Sequence, residues 1–328
     1  MLFWDRSAPD TVLEPLTVYV SKNMKFTARA DDPKSGVRSL AVRVTAGDQS
    51  WDIASKGFPG KPQTAELPFS LEQLPLKDSE IVIEVTAVDG SWAGFGAGNT
   101  AVLSRSHDLD TQPPRISLTS GAMNVTRGGA GAVSYTLTEE PTMTGVRAGD
   151  YFFPAYKQEN GNWSCLFGFP YTMDETSYKP LLMAKDAAGN EAVVPLGVNA
   201  RAREFKHDTI NLTQSFLEKK MPEFSQEYPD KANNLEIFLA VNREMRKANR
   251  AALIDIGRKT SPTPLWKGPF LRMPGATMAG FAEHRSYNYE GETVDEQTHL
   301  GVDIASTQRA EVPAANHGVV VYTGTMGI

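Results

Sequence analysis

A chain of 328 residues exceeds the usual single domain and is expected to divide into two or three. With 41% hydrophobic and 22% charged residues it can bury several cores, which excludes global disorder. A formal net charge of -6, from 33 basic against 39 acidic residues, lacks the broad positive surface of a nucleic-acid binder, so no nucleic-acid partner is expected.

The 27 glycines and 21 prolines point to a turn-rich chain with more strand than helix. The single cysteine, Cys165, excludes an internal disulfide framework and a cysteine-cluster metal site, and reads as a small buried hydrophobe. Scarcity of thiols suits an oxidising compartment. No stretch approaches the roughly 18 apolar residues that span a bilayer. Met1 to Trp4 is too short for a signal-peptide core and meets Asp5 and Arg6 at once, so for an exported protein the signal or anchor lies upstream of Met1.

Residues 12 to 112 read as short strands between turn clusters, beginning at Val18, Val20, Phe26 and Ala28. Leu40, Val42 and Val44 alternate with Ser39, Ala41 and Arg43, and Ile81, Ile83, Val85 and Ala87 alternate with Glu80, Glu84 and Thr86. That period of two marks half-buried strands and predicts a small β-sandwich over residues 1–112. Pro113-Pro114 forms a joint, and a second β unit over 113–207 takes its strands from Ile116 and Leu118, Val133 to Leu137, and Leu181 to Ala184. One strand ends at Asp89 and leads through glycines to Gly98-Asn99; another ends at Asp186 and leads to Gly189-Asn190. This repeated turn resembles bacterial immunoglobulin-like repeats, which implies two such modules whose simplest role is as spacers.

From Asp208 the period changes. Leu212, Phe216 and Leu217, and then Leu235, Phe238, Leu239, Met245, Ala248, Ala252 and Ile256, recur at helical spacing and predict a helical connector over 208–262. Asp230 is the expected N-cap and Gly257 the expected terminating residue. Arg243, Arg246, Lys247 and Arg250 lie on the opposite face, which is expected to be solvated.

Residues 263–328 carry the chemistry. His299 and Asp303 are both of zinc-ligating type. Four residues of extended strand span roughly 13 Å, too far to share an ion, so Gly301 between them is expected to bend the backbone. Three blocks occur in order: Phe281 to Arg285, the His299-x-Gly301-x-Asp303-Ile304-Ala305 run, and Val312, Ala314, Gly318 and Val320. Together they resemble the lysostaphin-like (LytM-type) zinc endopeptidases, with Ala282 where that family has glycine.

With the strand and helix patterns and the repeated turns, this gives an expected mainly β chain: two immunoglobulin-like sandwiches, a helical segment and, from the peptidase resemblance, the first part of a β-rich peptidase domain. The peptidase resemblance implies a zinc hydrolase of peptidoglycan peptide cross-links in the periplasm or cell envelope, with His299 and Asp303 as metal ligands. It further implies a third ligand and a catalytic histidine beyond Ile328, so that this chain is an inactive fragment. Arg285, Tyr287 and Tyr289 are the candidates to line a substrate groove, and Val319 to Tyr322 is the expected last strand. Two other readings are an inactive relative that regulates wall hydrolases and a structural or adhesive immunoglobulin-like module. His284, His317, His107 and His207 are expected to be structural or surface residues.

Overall fold

Wherever the sequence alternates with a period of two the chain forms strands, and the protein is mainly β. The structure, a computed structural model, describes residues 5–327. The chain divides into two units. One takes Met1–Leu118, Tyr135–Arg147 and Leu181–Pro195, and the other takes Thr119–Ser134, Ala148–Pro180 and Leu196–Ile328.

In the first unit the strands are β1 (Asp10–Glu14), β2 (Tyr19–Val20), β3 (Phe26–Asp31), β4 (Val37–Ala46), β5 (Gln49–Gly57), β6 (Thr64–Phe69), β7 (Ser79–Asp89) and β8 (Thr100–Leu109). They form two sheets, ordered β1-β3-β6 and β2-β8-β7-β4-β5. Leu40, Val42 and Val44 of β4 and Ile81, Ile83, Val85 and Ala87 of β7 turn inward, where Phe26 stacks on Phe69 at 5.2 Å. Each fully buried branched side chain contributes about 1.5–3 kcal/mol through removal of apolar surface from water. Val18 lies outside β2 and is exposed, whereas Val20 is fully buried, so the strand begins later than its sequence suggests.

Beyond Pro113-Pro114 follow β9 (Ile116–Leu118), β10 (Met123–Thr126), β11 (Ala130–Leu137), β12 (Met143–Ala148), β13 (Tyr151–Lys157), β14 (Trp163–Gly168), β15 (Leu181–Lys185), β16 (Glu191–Pro195) and β17 (Val198–Arg201). Within the first unit β12, β15 and β16 pair antiparallel, and the Tyr135 hydroxyl meets Thr144 Oγ1 at 2.7 Å. Within the second, β13 pairs with β14 and β10 runs parallel to β17. Cys165 is buried there, its Sγ 3.2 Å from the Phe153 carbonyl.

The two repeated turns have one geometry. Asp89 is completely buried and accepts hydrogen bonds from the Asn99 amide at Oδ1 and from Asn99 Nδ2 at Oδ2, both 2.7 Å. Asp186, 2% exposed, accepts the same pair from Asn190 at 2.8 and 2.9 Å. The spare amide hydrogen of each asparagine reaches back to an upstream segment: Asn99 donates to the Asp5 carbonyl and Asn190 to the Asp110 carbonyl, both at 3.0 Å. Gly98 and Gly189 have φ of +83° and +90°, and a Cβ on Gly98 would fall 2.6 Å from the Asp89 carbonyl oxygen. Glycine is required there.

The second unit continues with β18 (His207–Asn211) and a helix, Gln214–Lys220, capped by Thr213 Oγ1 accepting from the Phe216 amide. A longer helix begins at Asn234, relaxes into a π turn at Val241–Met245 and resumes at Arg246–Gly257. Its N-cap is Asn233, not Asp230, because the Asn233 Oδ1 accepts from the Glu236 amide while Glu236 reaches back to the Ala232 amide. Gly257 lies inside the last turn and Arg258 ends the helix in an ordinary right-handed conformation, so no glycine cap forms. No helix among the described residues is long and apolar enough to cross a membrane.

Asp89→Ala is expected to destabilise the sheets around β7 and β8 by about 2–4 kcal/mol, since Asn99 and Ser91 lose a buried charged acceptor. Faster amide exchange in β7 and β8, with β18 and residues 283–299 unaffected, is the expected readout; unchanged protection would refute the role given to the turn.

Candidate metal centre

The site rests on a hairpin of β20 (Glu283–Tyr289) and β21 (Glu292–His299), joined by Glu290 and Gly291 with φ of +50° and +88°. Two successive positive-φ residues match the right-handed twist of the flanking strands. The register places Glu283 opposite His299, Arg285 opposite Gln297 and Tyr287 opposite Asp295, so these side chains share one face. The hairpin's other edge is β18, which runs parallel to β20.

The long helix covers that face. Asp295 is buried and accepts from Asn242 Nδ2 at 2.6 Å and Arg243 Nε at 2.8 Å, while Arg243 also donates to the Val294 carbonyl. Arg246 donates to Asn242 Oδ1 and Arg250 to the Thr298 carbonyl. The basic face expected to be solvated is therefore partly docked on β21. Three of its four basic residues have found fixed acceptors, which a helical wheel cannot show. Burial pushes the Asp295 carboxyl up, but the hydrogen bonds from Arg243, Gln297 and Asn242 outweigh it and hold it below its ordinary value.

His299 ends β21, and Asp303 opens β22 (Asp303–Ala305), which pairs with β19 (Ala276–Ala279). The chain bends at Leu300 to Val302 and returns Asp303 Oδ1 to 3.3 Å from His299 Nε2. The bend does not draw on glycine freedom: Gly301 has no positive φ, and a Cβ there would meet the His299 ring at an ordinary 3.6 Å. Ala282 is the strained residue. It is 3% exposed with φ of +61°, a region that favours glycine, and its amide donates to the His299 carbonyl at 2.7 Å.

Arg285 holds the arrangement from the side. Its Nε lies 3.1 Å from Glu283 Oε1 and its Nη2 3.3 Å from Asp303 Oδ2, while Lys206 approaches Glu283 at 3.7 Å. Burial would lower the Arg285 guanidinium, and its bonds to Glu283 and Asp303 raise it above its ordinary value. The His299–Asp303 contact is close in distance but aligned too poorly for a hydrogen bond. His299 Nε2 is buried and has no hydrogen-bond partner. His107 Nε2 is orphaned too, but His107 packs edge-on to Phe26 and its Nδ1 meets the Thr17 carbonyl.

A buried ring nitrogen without a partner beside a carboxylate oxygen fits two members of a zinc ligand set. Among the described residues no third His, Cys, Asp or Glu completes a cluster with them. Tyr287 is 6% exposed and packs on Phe238 at 5.3 Å, so its side chain belongs to the core beneath the helices. Tyr289 donates to Gln214 Oε1. His207 meets Ser286 Oγ at 3.0 Å, its ring 4.6 Å from that of His284, and His317 sits in a turn with Asn316. The strand expected at Val319 to Tyr322 does not form: these residues are exposed and irregular, because a ladder needs a partner strand and none of the described residues supplies one.

Two acidic groups carry no motif in the sequence. Asp5, Asp32 and Asp89 converge in the first module, and Asp110, Glu139 and Asp186 converge around the second repeated turn. Burial, followed by the charges of Asp110 and Asp186, raises the Glu139 carboxyl above its ordinary value.

No protein-family model and no curated protein matches the chain. Among solved structures, similarity is found to a Ca2+-stabilised adhesin that helps an Antarctic bacterium reach out and bind ice, at 13% identity over 62% of this chain and 54% of that one, with a TM-score of 0.29. A 1.5-MDa bacterial ice-binding adhesin is similar at 17% identity over 60% and 66%, with a TM-score of 0.24. A mixed-linkage glucan utilization protein of Bacteroides ovatus, solved with a mixed-linkage heptasaccharide, is similar at 13% identity over 63% and 52%, with a TM-score of 0.20. TM-scores this low define no common fold, and the first of these matches spans only about half of its partner chain.

Asp295→Ala is expected to cost about 2–3 kcal/mol, the half-exposed Arg243 limiting the Coulombic share. Because the folded carboxyl lies below its unfolded value near 3.9, its contribution is present above about pH 4 and is lost as pH falls through the depressed value. Acid titration of urea unfolding checks this. A variant with the same acid limb as the wild type would contradict it.

Proposed function

We propose that residues 263–328 carry part of a hydrolytic metal site of the lysostaphin-like zinc endopeptidase type, directed at peptide cross-links of peptidoglycan in the cell envelope. The observation that supports this most directly is the buried, unpartnered His299 Nε2 lying 3.3 Å from Asp303 Oδ1. His299 and Asp303 would hold the metal, which when bound polarises a scissile carbonyl and activates water. Arg285 fixes the Asp303 carboxylate through Oδ2 and leaves Oδ1 toward the imidazole. The buried Glu283, 3% exposed, balances the guanidinium charge so that Arg285 keeps its place. The strained Ala282 ties the His299 carbonyl and so sets where the ring-bearing strand ends.

A second role stands beside this one. Two β modules closed by the same carboxylate turn suit a spacer or adhesive segment, a reading that needs no metal.

Zinc titration against a chromophoric chelator separates the two. The chain is expected to bind zinc weakly, since a structural or catalytic site takes three or four protein ligands. His299→Ala and Asp303→Ala should each abolish binding, and Arg285→Ala should weaken it about tenfold. Identical zinc binding by wild type and both ligand variants would refute the metal reading and leave the spacer or adhesive role.

A further inference from the structure

Apart from the metal centre, the second unit contains a cavity of about 660 Å³ between the β13–β14 hairpin, the 260–266 segment and the loop at His317. That volume falls within the roughly 300–1,000 Å³ of small-molecule sites. None of the residues that line it is Asp, Glu, Lys or Arg. A phosphate, a carboxylate, a nucleotide or a metal ion would find no opposite charge there and would lose its hydration without compensation. A fatty acid would face the same difficulty at its head group.

The walls are of two kinds. Tyr156, Trp266 and Phe270 supply aromatic surface, and Trp266 and Phe270 lie 5.9 Å apart with 40% and 63% of their surfaces exposed. Gln158, Ser164 and Thr263 supply uncharged donors and acceptors along the same cavity, and His317 adds an imidazole. Flat apolar faces beside uncharged hydrogen-bonding groups match a ligand that is itself two-sided and neutral: a sugar ring, with C–H faces and a hydroxyl edge.

The cavity is also built in advance. Gln158 Nε2 donates to the Pro262 carbonyl at 3.4 Å and to the Tyr156 carbonyl at 2.9 Å, and the Tyr156 and Thr260 hydroxyls are hydrogen-bonded. Pro262 and Pro264 restrict φ along the strap. On the opposite side Asn316 accepts from the Lys267 amide at 2.9 Å and donates to the Lys267 and Pro269 carbonyls, and the Leu271 amide donates to the Ala315 carbonyl. Walls fixed by such contacts reduce the ordering cost of binding.

We propose that this cavity binds a neutral saccharide, with Trp266 and Tyr156 stacking on the ring and Gln158 among the groups that read its hydroxyls. None of these residues belongs to the metal centre, so the inference stands or falls separately from the hydrolytic reading. The test is calorimetric titration of the full chain with two uncharged probes, chitotetraose and cellotetraose, beside an uncharged apolar dye, N-phenyl-1-naphthylamine. Saturable binding of at least one saccharide is expected, weakened about tenfold or more in Trp266→Ala and largely retained in Trp266→Phe. Circular-dichroism melts of both variants check that the fold is kept, and Gln158→Ala should weaken the same probe if Trp266→Ala fails to fold. Binding of neither saccharide, saccharide binding unchanged by Trp266→Ala or Gln158→Ala, or binding of the dye alone would overturn the proposal.

Discussion

A carboxylate taken out of water has to be met by donors, and this obligation pins the structure at several of its joints. Asp89 and Asp186 each satisfy it with an asparagine, joined at Asp89 by Ser91; each asparagine spends its backbone amide and one side-chain hydrogen on the acid and its other hydrogen on an upstream carbonyl. Asp295 satisfies it with Asn242 and Arg243 and so docks a helix on a strand. Glu283 satisfies it with Arg285 and Lys206. Hydrophobic burial supplies most of the driving force, but it is non-directional; the buried acids fix which segment lies against which.

His299 is the exception to that economy. Its neighbours are satisfied: Glu283 opposite, Gln297 two residues earlier with its Nε2 on Asp295, and Asp303 through Arg285. Within this site the imidazole keeps a buried nitrogen with no hydrogen bond, and unlike the similarly orphaned His107 Nε2 it faces a carboxylate. An unpaired buried polar atom is costly, and in native proteins such atoms concentrate where a ligand or a reaction uses them. The charged surroundings of His299 and the neutral, aromatic lining of the cavity at Trp266 are opposite solutions within one unit, suited to different ligand chemistries.

Composition and period made a good part of this legible. The strands at Leu40 to Val44 and Ile81 to Ala87 bury the side chains that their alternation marks, because every second residue of a strand must face the same way. The two Asp to Gly-Asn turns were visible as a repeat because a left-handed glycine and a bidentate asparagine leave a residue signature at short range. His299 and Asp303 stood out by type and spacing, and they do lie side by side. Gly301 is not the source of the bend its spacing suggests: residues 300–302 turn without a left-handed glycine, and the left-handed conformation falls instead on Ala282.

What the sequence determined by itself was local: where strands and helices run, which face of each is apolar, and which short-range pair of side chains has ligand chemistry. Tertiary structure alone decided what covers each face. Arg243 and Arg250 of the long helix could point to solvent or to a strand, and they meet Asp295 and the Val294 and Thr298 carbonyls, about fifty residues away in the chain. Tyr287 has the alternation of a groove residue and the packing of a core residue, because Phe238 lies over it. The acids Asp5, Asp32 and Asp89, and the walls of the cavity from Tyr156 to His317, share no motif at all. Proximity across a fold is set by how whole elements pack, and packing is governed by total buried surface and satisfied polar groups rather than by the spacing of any few residues.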